Sequence, residues 1–207
     1  WVNLFKEYQE LLGIPVDMNE VYGKLYNNAL KGNPDCGGLI SYNYISGEPV
    51  TGLAEGRPLF VRSANDKFNL ANFMRAHLYA SVGVLKIGND ILFNEEKIKV
   101  DRITGHGGLF KTKGVGQRVL AAAINSPISV METAGEGGAW GIALLASYLV
   151  NNANELNLAD YLDKVVFAGD AGVEIAPTQE DVDGFNAYIE NYKAGLAIEE
   201  AAVKAKK

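Results

Sequence analysis

The chain has 207 residues, 48% hydrophobic and 21% charged, the composition of a globular protein with material for a sizeable core. Its longest apolar stretch, around Ala139 to Ala146, falls far short of the roughly 20 residues that cross a bilayer, and a single cysteine, Cys36, excludes an internal disulfide and suits a reducing cytoplasm. Residues 1–150 hold 14 acidic and 14 basic side chains and residues 151–207 hold 11 and 5, so the net charge of −6 sits in the tail and no basic groove for nucleic acid is in view.

The opening residues read as no secretory leader, and Trp1 in place of Met reads as a piece of a longer chain. Trp1, Leu4, Phe5, Tyr8, Leu11 and Leu12 fall on one helical face, which Gly13 and Pro15 end. Asp17 and Glu20 have the spacing of a capping box for a second helix, with Met18, Val21, Tyr22, Leu25, Ala29 and Leu30 on its buried side. Strands are predicted over Leu39–Tyr44 and Arg57–Arg62, and a long helix from Leu70 through Leu85, loosened at Gly83 and Gly88. His77 lies on that helix's apolar face and reads as a satisfied core residue.

From Ile98 the pattern alternates, predicting a strand over Ile98–Ile103 that runs into "TGHGGLFKTKGVGQ". A helix through Val115, Val119, Leu120 and Ala123 follows, then a strand at Ile128–Met131 and a nearly all-apolar helix over "EGGAWGIALLASYL". This β-loop-α-β-α order predicts an α/β layer around a central mixed sheet flanked by helices. It puts Gly105, Gly107 and Gly108 at a strand's carboxyl end and a helix's amino end, where open α/β sheets bind anionic ligands. Glycine is costly for a folding chain. Either a nucleotide comes close to this backbone, or the turn is tight and its helix packs hard against it.

The loop matches neither a dinucleotide fingerprint, since Phe110 stands at the third glycine position, nor a phosphate-binding Walker loop. His106 and Cys36 have too few companions for a zinc site. No Gly-x-Ser-x-Gly elbow occurs. Lys111 and Lys113 suit a phosphate or ordinary solvent, and Glu136 suits a base or a helix start. Gly137, Gly138 and Gly141 open a helix expected to be buried, each costing about 1 kcal/mol against alanine. One shared ligand explains both glycine-rich helix starts.

Taken together, Thr104–Leu149 resembles the C-terminal signature of the FGGY family of carbohydrate kinases: Gly107, Gly108, Gln117, Ile128, Glu136 and Gly141 stand in that family's order and spacing. "GGLISYNYISGE" (Gly37–Glu48), Arg75-Ala76 and Trp1 extend the likeness over residues 1–150, leaving 151–207 as an acidic helical extension that packs on it or serves a homodimer. The resemblance implies an actin-like, ribonuclease-H-type domain that closes with an N-terminal sugar-binding domain over ATP, Mg²⁺ and a ketose, in the cytoplasm. It places Gly107, Gly108 and Leu109 at the phosphates and ribose, Thr112 near adenine, and Gly137 and Gly138 against the base, with Gly105 and Gln117 also among the nucleotide-binding residues. The base catalyst and the first phosphate-contacting strand of the family lie outside these residues, so the chain alone is expected to be inactive. The sequence departs from the family at Asn43, where a proline precedes the tyrosine, at His106, and at Tyr79, which replaces a glutamate. A non-catalytic actin-like module that binds a nucleotide or a partner is the rival reading.

Overall fold

The computed structural model describes residues 1–100, 103–132, 137–152, 155–168 and 172–205. Helix α1 (Val2–Leu11) leaves most of its apolar face uncovered, with Leu4 and Tyr8 more than half exposed. Helix α2 (Met18–Ala29) starts where Asp17 turns extended and its Oδ1 accepts the Asn19 amide at 2.8 Å. The expected reciprocal Glu20 bond gives way to an ion pair with Lys24 at 2.6 Å. Val21, Leu25 and Ala29 enter the core as the spacing predicts, but Tyr22 does not: it stays 39% exposed.

Strand β1 (Ile40–Tyr42) pairs antiparallel with β2 (Leu59–Val61), Ser41 facing Phe60. Helix α3 (Leu70–Asp90) is capped by Asn69, whose side chain accepts the Asn72 amide, and runs unbroken through Gly83 and Gly88. The second sheet is mixed and has the order β3-β4-β5. β3 (Ile103–Thr104) lies parallel to β4 (Ile128–Val130), joined by α4 (Val115–Ile124), and β5 (Val173–Ile175) closes the other edge antiparallel. Of the strand expected over Ile98–Ile103, Ile98–Val100 are not in strand, Ile103 is, and Asp101 and Arg102 lie outside the described residues.

Helix α5 (Gly137–Asn151) corrects a further expectation. None of its residues is buried, and Ile142 and Leu149 are 70% and 82% exposed. An apolar composition buries a helix only where a layer covers it. Here the contact runs along one side, through Ser147 Oγ to the Tyr161 hydroxyl at 2.9 Å and the Tyr148 hydroxyl to the Leu156 carbonyl at 2.9 Å, close to α6 (Leu158–Tyr161).

The tail forms α7 (Gln179–Ala194) and α8 (Leu196–Ala205), divided at Gly195, where the Tyr42 hydroxyl fills the space a Cβ would need. α7 places Phe185, Tyr188, Ile189 and Tyr192 in the same core as α2, α3 and α4, and buries Val182 as well. The Tyr42 hydroxyl donates to the Tyr192 carbonyl at 2.8 Å. The core therefore does not stop at residue 150.

Candidate functional site

The glycines between β3 and α4 differ in what surrounds them. A Cβ on Gly105 would overlap the Phe110 ring, and one on Gly116 would fall 2.6 Å from the Leu109 carbonyl oxygen, so packing accounts for both. Gly107 (φ +100) and Gly114 (φ +78) hold backbone conformations that favour glycine. Gly108 has neither reason: beyond its chain neighbours, no atom of the described residues comes within 4 Å of where its Cβ would be, and its φ is unstrained. Gly138 and Gly141 on α5 are the same, with open space where a side chain would stand.

The two glycine-rich segments do meet. The Cβ position of Gly137 lies 3.2 Å from His106 Cβ and 3.5 Å from its Nδ1, so the imidazole fills the gap between the loop and the start of α5. Glu136 lies outside the described residues.

Three cavities surround the turn, and the residues singled out from sequence divide among them. Gly108, Thr112 and Lys111 face Asn19, Tyr22 and Tyr26 of α2 across a cleft of about 450 Å³. Leu109 lies on an adjoining cavity of about 560 Å³ that shares Tyr22 and Tyr26 and reaches His77 and Trp1. Gln117 is buried, and its Nε2 donates to the Ile128 carbonyl at 3.0 Å and the Val173 carbonyl at 2.7 Å. That amide ties α4 to β4 and β5, beside a third cavity of about 660 Å³ walled by Phe110, Lys113, Met131 and Val173.

His77 is only half satisfied, contrary to the expectation of a fully bonded core histidine. Its Nδ1 meets Ser41 Oγ at 2.8 Å, and that hydroxyl donates to Asn43 Oδ1 at 3.0 Å. Its Nε2 is buried without a hydrogen-bond partner. Burial lowers the imidazole to about 4, so the ring is neutral at physiological pH. Arg75 donates to the Tyr79 hydroxyl at 2.8 Å and to Asp181 Oδ1 at 2.5 Å, while Arg118 reaches the same carboxylate at 3.6 Å. The carboxylate facing Arg75 thus comes from α7, more than a hundred residues away. Sequence reasoning missed two parts of this arrangement. Nothing local marked Asp181, whereas Tyr22 carried a signal, being a large aromatic among residues assigned to a buried face.

Residues 1–150 match the FGGY family of carbohydrate kinases, C-terminal domain. No curated protein sequence matches the chain. Among solved structures it is similar to a gluconate kinase from Lactobacillus acidophilus, with a TM-score of 0.63 and 21% identity over 86% of this chain and 35% of that one. A glycerol kinase from Plasmodium falciparum with ADP gives 0.60 and 18%, over 85% and 33%. A xylulose kinase from Rhodospirillum rubrum gives 0.57 and 17%, over 86% and 33%. The chain spans about a third of the length of each.

Proposed function

The chain belongs to the FGGY family of carbohydrate kinases, as that family's C-terminal domain, and on that premise we propose that it is the ATP-binding half of an enzyme that transfers the γ-phosphoryl group of ATP to a sugar hydroxyl. The observation that carries this reading is the open space at Gly108 and Gly138, on two segments that touch through His106 and Gly137. Among the described residues no contact requires those two side chains to be missing, and a ligand approaching the backbone would.

Phosphoryl transfer depends on positioning and on neutralising charge rather than on covalent chemistry by the protein. Gly107 and Gly108 leave the turn bare for phosphate and ribose, Leu109 and Thr112 flank them, and Lys111 stands on the cleft rim. Gly105 and Gln117 act on the nucleotide by shaping the turn, through the Phe110 ring and the two carbonyl ties. Among the described residues no three His, Cys, Asp or Glu side chains gather to hold a metal. Mg²⁺ commonly binds together with the phosphates of ATP, and in this reading an N-terminal sugar-binding domain would supply its carboxylates and the catalytic base. For the sugar we favour a pentulose such as xylulose or ribulose, supported by the likeness to xylulose kinases.

The test is Gly108→Val in the kinase that carries this domain. Because the site is roomy and its φ is unstrained, the variant keeps its melting temperature. The ATP dissociation constant rises on the order of a hundredfold, about 2.7 kcal/mol. Early melting with unchanged ATP affinity would sink the nucleotide assignment. The 207-residue chain by itself turns over no ATP with any ketose; turnover above contaminant level in a purified sample would refute the division of labour.

A further inference from the structure

We propose that Tyr22 and Tyr26 of α2 form the wall on which the base of the bound nucleotide stacks, so that binding of the base draws on a helix far from the glycine turn in sequence. The inference rests on the nucleotide reading above and names for it Tyr22, which the sequence pattern assigned to a buried helix face, and Tyr26, which that pattern did not single out.

The cleft of about 450 Å³ has two unlike sides. One side is bare backbone at Gly108 with Lys111 and Thr112, suited to phosphate and sugar oxygens. The other is aromatic, with the Asn19 amide beside it. A guest that satisfies both sides has an anionic end and a flat apolar end, and the volume lies in the usual range for small-ligand sites. The tyrosines are also ordered before any guest arrives. Standing four residues apart on α2, their rings meet edge to face, centroids 5.6 Å apart and planes at 86°. Val21, Leu25 and Ala29 anchor the helix from its other side, while Tyr22 remains 39% exposed, a large aromatic kept at the surface facing the glycine turn. A pair that merely stiffened α2 would serve equally well facing solvent.

Binding of MgADP and of magnesium tripolyphosphate, which has no base, to the 207-residue chain separates these roles. Tyr22→Ala weakens MgADP about tenfold, within the range for losing one base–aromatic stack, and leaves tripolyphosphate within about twofold. Tyr22→Phe retains MgADP affinity. Undiminished MgADP binding by Tyr22→Ala overturns the inference while leaving the nucleotide site standing. Equal losses for both ligands also overturn it, since the wall would then only hold the turn in place. A wild-type chain that binds neither ligand removes the nucleotide reading and this inference together.

Discussion

At the residue scale, the absence of a side chain has separable causes, and substitution distinguishes them. At Gly116 the neighbour is the Leu109 backbone at 2.6 Å, which cannot yield as a flexible side chain can. Gly116→Ala therefore costs about 1–3 kcal/mol, the usual range for overpacking, and lowers the melting temperature. Gly141→Ala meets nothing within 4 Å inside α5. It gains up to about 1 kcal/mol of helix propensity, raising the melting temperature by about 2–4 °C in a domain of this size. A rise of that kind identifies the glycine as one retained against stability. His77 adds a pH signature. Its folded value of about 4 lies below the ordinary 6.5, so between those values the unfolded chain takes up a proton that the fold refuses. Stability is full above about pH 6.5 and falls as the pH drops towards 4. Melting curves at pH 7.5 and 5 show this loss, and His77→Gln shrinks it; an unchanged difference would assign the loss to other groups.

At the element scale, what could be read in the sequence depended on how local the cause was. α2, α3 and α4 follow from apolar spacing: α2 buries the stripe Val21, Leu25 and Ala29, α3 buries much of its length, and α4 buries every residue but Arg118. β1 and β2 were legible as short runs rich in strand-forming residues. β5 was not, since Val173–Ile175 is short and two of its residues are exposed, and only pairing with β4 makes it a strand. α5 misled for the opposite reason: apolar composition says nothing about whether a covering layer exists. In the site, the glycine turn was legible because glycine density is a local mark. The facing tyrosines and Asp181 were not, because only the fold brings them there. Burial pushes the Asp181 carboxyl up, but hydrogen bonds from Arg75 and Thr178 outweigh it and hold the group below its ordinary range. Its contribution is present above about pH 4 and lost as the pH falls through the folded value. Arg75 and Asp181 have side chains only 5% and 16% exposed, so Asp181→Asn leaves a buried guanidinium short of its carboxylate and costs about 3 kcal/mol. A double-mutant cycle with Arg75→Met should show a coupling above about 1 kcal/mol. Additive losses would mean that the pair merely sits together.

At the scale of the whole molecule, the family likeness and the physical unit have different extents. The match covers residues 1–150, yet the core continues into α7. Val182, Phe185, Tyr188, Ile189 and Tyr192 are each at most 4% exposed, and all but Val182 join the cluster built by α2, α3 and α4. Polar ties run the same way. The Val173 carbonyl receives Gln117, Asp181 receives Arg75, and Ile175 Cδ1 stands 3.6 Å from the Cβ position of Gly114, at the start of the glycine-turn helix. Burying a large apolar side chain stabilises by about 1.5–3 kcal/mol, so removing those five withdraws on the order of 10 kcal/mol. That is as much as the entire stability of an ordinary domain, about 5–15 kcal/mol. A fragment of residues 1–150 is accordingly expected to lack a cooperative thermal transition by circular dichroism and to exchange its α3 and α4 amides rapidly. The chain through Ala205 melts cooperatively and protects them. A sharp melt and slow exchange in the shorter fragment would show that α7 only decorates a core complete without it, and the acidic tail would then be free to serve as an oligomer surface.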